Sequence, residues 1–220
     1  MPIRIAHRGY SGKYGDNNIQ SFKKAFEYGF DMIELDVQLC STGEIVVYHD
    51  IYCNNHLINK MSLDEVNKNG IITLNEVFDH ITPDMIDIFL DIKGELDIST
   101  ALYTLLTSRF SIDTLKHVYV SSFNRLIMSN IQPLVTSKFP IKLGFTTSNS
   151  YLPKHCGILF HDVDFVCLEM SILNQSFINQ IKAMDKKVFT YTCNNRISFK
   201  HMLSFDLDGI ISNFHDTDMI

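Results

Sequence analysis

The sequence predicts an α/β fold in which eight parallel strands and the helices between them form a (β/α)8 barrel, or TIM barrel, with a short antiparallel hairpin after the second strand. Short apolar runs rich in β-forming residues alternate with longer helical patterns along the whole chain. No linker, low-complexity tract or internal repeat interrupts this alternation. We therefore expect a single domain over residues 1–220, a length at the lower end for this architecture.

The strands follow from apolar runs of four to seven residues flanked by turn-forming sequence. In chain order they are predicted at residues 3–6, 32–37, 86–92, 117–121, 141–145, 164–168, 187–191 and 208–212. Helices are predicted between most of them, at residues 21–28, 74–80, 99–110, 125–131, 174–184 and 198–204. Residues 146–163 show no long amphipathic helix, so this connection is the weakest match to the pattern.

A ninth extended run, residues 45–49, follows the second strand through the turn-like sequence Ser41-Thr42-Gly43-Glu44. This connection is much shorter than the dozen or so residues that a parallel crossover needs. The run is therefore predicted to fold back antiparallel on the second strand as a hairpin.

Composition and charge exclude several classes of function. The formal net charge is −6 and no block of Lys or Arg is present, which argues against a nucleic-acid-binding protein. The chain begins without an apolar run long enough for a signal peptide and contains no apparent membrane span, so we expect a cytoplasmic protein. The five cysteines have no C-x-x-C spacing, and we expect neither disulfides nor a zinc site.

Acidic side chains share one face of two predicted strands. Because strand side chains alternate between faces, Glu34 and Asp36 point to the same side of the second strand. The same spacing places Asp91 and Lys93 together at the end of the next barrel strand. Three converging carboxylates are costly to bury without a cation, and carboxylate oxygens suit Mg²⁺ or Ca²⁺. We therefore predict one divalent cation at this end of the barrel.

Histidines and cations follow two other extended runs. His7 and Arg8 come directly after the first strand, and His49 lies at the end of the hairpin. Two histidines at one site can act as general base and general acid, because the unperturbed imidazole pKa lies near neutral pH. Arg8 and Lys93 are suited to contact phosphoryl oxygens.

These motifs together resemble those of the glycerophosphodiester phosphodiesterase family. The family's opening histidine-arginine-glycine motif is similar to AHRGY, and its next block is similar to GDNNIQSFKKAFEYGFDMIELDVQLCSTGEIVVYHD. Later family motifs are similar to ITLNEVFDHI, FLDIKGE, YVSSFN, VFTYTCNN and LDGIISNF. The resemblance extends from the first predicted strand to the last and is most specific before residue 95.

The resemblance implies a barrel enzyme that hydrolyses a small-molecule phosphodiester, here a glycerophosphodiester, to glycerol phosphate and an alcohol. It implies roles for seven residues: metal ligands Glu34, Asp36 and Asp91, acid/base residues His7 and His49, and phosphate contacts Arg8 and Lys93.

Three positions depart from the family pattern. Asp91 stands where the family has Glu, the sequence Gly15-Asp16-Asn17-Asn18 replaces a proline-glutamate-asparagine-threonine motif, and Tyr191 replaces a tryptophan.

Two alternative functions remain open at this point. A lysophospholipase D or sphingomyelinase D-like enzyme of the same superfamily would act on choline phospholipids and would need a wider, more apolar entrance to the site. A non-catalytic barrel that binds metal or phosphate would keep the fold without turnover. Its weakness is that buried acidic clusters are costly to retain without a ligand.

Overall fold

The computed structural model describes the backbone of residues 1–219 and the side chains of residues 1–152 and 155–219. Eight parallel strands form a closed barrel, which confirms the predicted fold class. The barrel strands, numbered with the shorter strands in chain order, are β1 (Ile3–Ala6), β2 (Met32–Leu39), β7 (Asp87–Ile92), β8 (Val118–Ser122), β9 (Lys142–Thr147), β10 (Phe165–Glu169), β11 (Lys187–Tyr191) and β12 (Gly209–Ser212).

The barrel closes because β1 pairs in parallel with both β12 and β2. The first and last strands of the chain are thus neighbours, and we propose that the barrel is one domain. The last residue of the predicted domain, Ile220, lies outside the described residues.

Helices connect the barrel strands on the outside. They are α1 (Ser11–Tyr14), α2 (Ile19–Glu27), α3 (Leu63–Lys68), α4 (Leu74–Phe78), α5 (Ser99–Arg109), α6 (Ile112–Leu115), α7 (Arg125–Ile131), α8 (Pro153–Phe160), α9 (Gln175–Lys182) and α10 (Arg196–Met202). Among the described residues, none of these helices is both long and apolar enough to cross a membrane.

The predicted hairpin is present. Strand β3 (Ile45–Val47) pairs antiparallel with β2, and β6 (Ile72–Thr73) pairs antiparallel with β3. Between them the chain adds a two-stranded ribbon, β4 (Tyr52–Cys53) and β5 (His56–Leu57), and helix α3. Buried side chains such as Ile58, Met61 and Val66 give this excursion a small apolar cluster of its own.

Aromatic side chains fill the barrel interior at the amino-terminal ends of the strands. Phe165 and Phe189 pack with their rings tilted by 35° and their centroids 5.0 Å apart, and Phe89 packs edge-on against Phe165. Gly144 leaves the space for this, because a Cβ at that position would lie 2.2 Å from the Phe165 ring. The interior below the carboxyl ends of the strands is therefore filled by aromatic rings.

The outer layer, where helices cover the barrel, divides into two apolar clusters. One contains buried side chains from residues 6–143, and the other contains buried side chains from residues 145–210. A third cluster is the aromatic interior of the barrel itself. Each half of the chain thus supplies its own packing against the barrel.

Element positions agree with the sequence-based predictions to within one or two residues at most boundaries. Helix α2 begins at Ile19, two residues before the predicted start, because Asn18 caps it and shares a capping box with Ser21. The weak connection at residues 146–163 contains an eight-residue helix, α8. All five cysteines are buried and free.

Candidate active site

A cavity of about 190 Å³ opens at the carboxyl ends of the barrel strands. Six of the seven predicted site residues line it: His7, Arg8, Glu34, His49, Asp91 and Lys93. The seventh, Asp36, lies behind the wall and is 1% exposed. The fold thus brings together all the residues that the sequence singled out.

The three carboxylates form one buried cluster. Glu34, Asp36 and Asp91 each offer an oxygen, and these oxygens lie within 4.8 Å of one another. The parallel pairing of β2 with β7 produces this arrangement, because Asp36 lies directly opposite Asp91 and Glu34 lies one pleat below. Adjacent strands therefore deliver the cluster, as the alternation of side chains predicted.

Two cations partly neutralise the cluster. Lys93 Nζ lies 2.5 Å from Asp91 Oδ2 and 3.2 Å from Asp36 Oδ1, and Arg8 Nε lies 3.1 Å from Asp36 Oδ2. Burial favours the protonated form of Asp36, but Lys93 and Arg8 outweigh it, and the net pKa of Asp36 is lowered. Asp36 is thus ionised in the interior of the protein.

The other two carboxyl groups are less well compensated. Burial and the neighbouring Asp36 and Asp91 charges raise the pKa of Glu34 well above its usual value. Burial also raises the pKa of Asp91, although Lys93 opposes the shift. Without a further positive charge, Glu34 and Asp91 therefore hold their protons more tightly than exposed carboxyl groups do.

The cluster has the properties of a site for a hard divalent cation. Asp36 Oδ1 is buried and accepts no hydrogen bond from the described residues. Lys93 Nζ lies 3.2 Å from this oxygen but is also bonded to Asp91, so the Asp36 oxygen keeps lone pairs that a divalent cation could take. Three carboxylates with no cysteine or histidine among them suit Mg²⁺ or Ca²⁺ better than zinc.

The loop after β1 is shaped to place Arg8 at the site. Arg8 adopts a left-handed backbone conformation, with φ of 56°, and its backbone N–H donates to Glu34 Oε2 at 2.8 Å. A non-glycine residue in this region is uncommon and is often associated with functional sites. Gly9 follows with φ of 77°, where a Cβ would lie 2.5 Å from Ser21 Oγ.

The sequence that replaces the family's proline-glutamate-asparagine-threonine motif keeps two residues, Asp16 and Asn17, in contact with the site. Asp16 accepts a hydrogen bond from Arg8 at 2.7 Å. Asn17 Nδ2 donates to Asp36 Oδ2 at 2.8 Å, and the Asn17 backbone N–H donates to the carbonyl of Arg8. The departure in sequence therefore still leaves side chains that hold Arg8 and Asp36 in place.

His7 is partly buried on the cavity wall, and Asn213, directly after the last strand, orients it. Its Nδ1 lies 2.6 Å from Asn213 Oδ1, so Nδ1 carries the hydrogen and Nε2 is the atom with a free lone pair. Asn213 is held in turn by Asn194 Oδ1, which accepts from the Asn213 backbone N–H at 2.8 Å. Burial, assisted by the charge of Arg8, lowers the pKa of His7. His7 is therefore neutral near pH 7.

His49 is more exposed, with 41% of its side chain accessible. Its Nδ1 lies 2.7 Å from Asp50 Oδ1, so a carboxylate rather than an amide orients this ring. The two histidines thus face one cavity with different partners.

The remaining wall is formed by side chains on or directly after β8, β10 and β11. Phe123 and Tyr191 meet edge-on with ring centroids 6.0 Å apart, and Lys93 Nζ lies 5.5 Å above the Phe123 ring. Cys167 also lines the cavity, but burial raises the pKa of its thiol well above the usual value. The thiol therefore stays protonated and is not suited to act as a nucleophile.

Several contacts of the site were not identified from the sequence. Asn213 and Asn194 orient His7, and Gln38 bonds the segment that carries His49. Ser121 Oγ donates to Thr146 or accepts from it at 2.6 Å and lies 3.4 Å from Asp91 Oδ1. Asn213 directly follows the last strand, and Gln38 lies on the same face of β2 as Glu34. Their positions relative to the strands were therefore the sequence signal that could have placed them near the site.

Comparison with known proteins gives a consistent result. The model of the glycerophosphoryl diester phosphodiesterase family matches residues 7–217. A glycerophosphodiester phosphodiesterase of Caldanaerobacter subterraneus subsp. tengcongensis is 25% identical over 97% of this chain and 94% of its own length.

Solved structures share the fold. An Oleispira antarctica phosphodiesterase, determined in complex with the product sn-glycerol-3-phosphate, is 24% identical, with a TM-score of 0.77 over 99% of this chain and 95% of its own. A glycerophosphodiester phosphodiesterase from Thermotoga maritima is 22% identical, with a TM-score of 0.80 over 99% of this chain and 96% of its own.

Proposed function

Since the chain belongs to the glycerophosphoryl diester phosphodiesterase family, we propose that it hydrolyses glycerophosphodiesters to glycerol phosphate and an alcohol by metal-dependent acid–base catalysis. The observation that carries the proposal is a single cavity lined by two histidines, two cations and the carboxylate cluster. The product complex of the Oleispira antarctica enzyme supports a small-molecule substrate.

Glu34, Asp36 and Asp91 are the proposed ligands of one divalent cation, Mg²⁺ or Ca²⁺. Such a cation, when bound, holds a phosphate oxygen and polarises the phosphorus atom. Asp91 is one methylene shorter than the glutamate typical of the family, and Lys93 lies 2.5 Å from its Oδ2. Lys93 and Arg8, both on the cavity wall, are the proposed contacts to the remaining phosphate oxygens.

His7 is the proposed general base. The hydrogen bond from Nδ1 to Asn213 leaves the lone pair on Nε2, and the lowered pKa of His7 keeps the ring neutral. The proton that His7 accepts comes from the nucleophile, which is either water or a neighbouring hydroxyl of the glycerol. With the hydroxyl, departure of the alcohol leaves a cyclic phosphate, which water must then open to give glycerol phosphate. His49 is the proposed general acid, because its ring is held by the Asp50 carboxylate and can deliver a proton to the leaving oxygen.

The size of the cavity favours a small substrate over a lipid. Its volume of about 190 Å³ is below the roughly 300–1,000 Å³ of sites that enclose drug-sized ligands. A glycerol phosphate group suits this volume. A lysophospholipase D or sphingomyelinase D-like enzyme would need a wider, more apolar entrance, so the size of this cavity argues against that alternative.

Turnover of glycerophosphodiesters by the purified protein tests the proposal. We expect glycerol phosphate to appear by ³¹P NMR in the presence of Mg²⁺ or Ca²⁺, and we expect chelation of the metal to abolish the signal. Asp36→Asn should remove the activity. Asp87→Asn is the matched control, because Asp87 lies at the opposite end of β7 and pairs with His117.

Binding without turnover, for glycerophosphodiesters and for an activated aryl phosphodiester alike, would contradict the proposal and favour the non-catalytic barrel. Full activity in the presence of a strong chelator would contradict the metal requirement alone.

A further inference from the structure

Gln38 lies on the same face of β2 as Glu34 and Asp36, one pleat nearer the carboxyl end of the strand. It is 2% exposed. Its Nε2 donates to the backbone carbonyls of Tyr48, at 2.8 Å, and Asp50, at 2.9 Å. Both amide hydrogens are therefore committed to the residues on either side of His49.

These two hydrogen bonds hold a segment that has left the sheet. Strand β3 ends at Val47, so the carbonyls of Tyr48 and Asp50 lie beyond its ladder. The Tyr48 N–H still donates to the carbonyl of Asp36 at 3.0 Å, which anchors the start of the segment to β2. With Gln38 bonded on both sides, the backbone of His49 is fixed before and after its Cα atom. The direction of its side chain is thereby restricted.

A glutamine satisfies this position better than other residues of similar size. A glutamate would place a carboxylate oxygen against two carbonyl oxygens, and a methionine would leave both carbonyls without their donor. Gly94, in the loop after Lys93, lies beside this amide, since a Cβ at Gly94 would be 3.5 Å from Gln38 Oε1, an ordinary van der Waals distance.

We propose that Gln38 is a positioning residue that holds His49 at a fixed place relative to the carboxylate cluster. The inference rests on the proposed function, in which His49 acts as general acid. One strand, β2, then carries two of the three carboxylates and the amide that orients the histidine loop. The rigid barrel strand sets the separation between the metal-binding groups and the acid.

Replacement of Gln38 by methionine keeps the length of the side chain and removes both donors. We expect kcat for a glycerophosphodiester to fall by roughly ten- to hundredfold, the scale of a misplaced catalytic group. KM and the affinity for Mg²⁺ should change less than about twofold, because Glu34, Asp36 and Asp91 keep their own contacts.

Thr190→Val is the matched control. Thr190 is also buried and donates one hydrogen bond to a backbone carbonyl, that of Leu168, at 2.9 Å, outside the cavity wall. Loss of this hydrogen bond should lower the thermal stability and change kcat by less than about twofold from the wild-type value.

A double-mutant cycle with His49→Ala separates positioning from a general structural effect. All four variants are assayed on the same glycerophosphodiester, whose poor leaving group needs the acid, at an enzyme concentration high enough to measure the residual rate of His49→Ala. If Gln38 acts through His49, Gln38→Met should lower kcat in the wild-type background and change it less than about twofold in His49→Ala. Equal fold losses in both backgrounds would overturn the inference.

The outcomes for the two proposals are distinct. A fully active His49→Ala variant would remove the catalytic role of His49 and, with it, the basis for this inference. If His49→Ala is strongly impaired while Gln38→Met is folded and fully active, the positioning role of Gln38 is overturned and the proposed role of His49 stands. If Gln38→Met does not fold by circular dichroism, Gln38→Asn serves in the same cycle, since its shorter amide cannot span both carbonyls.

Discussion

A divalent cation should stabilise the protein strongly, and the effect should grow with pH. The reason is the cluster of Glu34, Asp36 and Asp91, whose oxygens lie within 4.8 Å of one another in the protein interior. A ligand that binds the folded state only, at a concentration 100 times its Kd, stabilises by about 2.7 kcal/mol. For a chain of this size 1 kcal/mol shifts Tm by about 2–4 °C, so saturating Mg²⁺ should raise Tm by roughly 5–11 °C.

The dependence on pH follows from the directions of the pKa shifts. The folded-state pKa values of Glu34 and Asp91 are raised, so in the metal-free protein their stabilising contribution is present at low pH and is lost as pH rises through those values. Asp36 has a lowered pKa and contributes in the opposite sense, losing its contribution only as pH falls. Cation binding needs the ionised carboxylates and releases their protons. The rise in Tm should therefore be larger at pH 8 than at pH 5.

Thermal unfolding followed by circular dichroism, at constant ionic strength with and without Mg²⁺, measures this effect. Glu34→Gln should lose most of the rise, and Asp87→Asn, at the far end of β7, should keep it. A rise of equal size at both pH values, or an undiminished rise in Glu34→Gln, would refute the reasoning from the carboxylate cluster.

Three further predictions concern the histidines and the loop after β1. His7→Ala and His49→Ala should each lower kcat by roughly two to four orders of magnitude, while the rise in Tm with Mg²⁺ persists. If only one of the two substitutions lowers kcat, on substrates with good and with poor leaving groups alike, paired acid–base catalysis is contradicted. Because the pKa of His7 is lowered from 6.5, the acid limb of the profile of kcat/KM against pH should lie below pH 6.5. Asn213→Asp should move this limb to higher pH, because a carboxylate beside Nδ1 favours the imidazolium. If the limb does not move, His7 is not the base. In urea unfolding, Gly9→Ala should lower the free energy of unfolding by about 1–3 kcal/mol more than Gly29→Ala does. Both glycines have left-handed backbones, but only at Gly9 would the new Cβ overlap its neighbours. Equal losses of free energy would show that the loop at Gly9 can move to accept the Cβ.

The alternation of side chains along strands was sufficient to group the residues of the site. Glu34 and Asp36 share a face of β2, and the parallel neighbour brings Asp91 alongside, which depends only on strand period and strand order. The antiparallel return of β3 followed from the length of one turn. These features are local, or depend on pairing between strands that the barrel places next to each other.

Contacts that join distant parts of the chain could not be predicted in the same way. His7 and Asn213 are 206 positions apart and meet only because the barrel closes between β1 and β12. The hydrogen bonds of Gln38 depend on how the chain bends after β3, which the hydrophobic pattern does not encode. Helix α8 was overlooked because its short sequence carries little amphipathic signal.

The division of the outer layer into two apolar clusters has an evolutionary consequence. All the residues proposed for catalysis and metal binding lie between His7 and Lys93, whereas the cavity-wall residues Cys167 and Tyr191 belong to the second half of the chain. Helices in that second half pack in their own cluster, so substitutions there can accumulate without disturbing the packing behind the carboxylates. Descendants of this barrel can therefore change the alcohol they release while inheriting the same chemistry, provided that the His7–Asn213 contact across the two halves is retained.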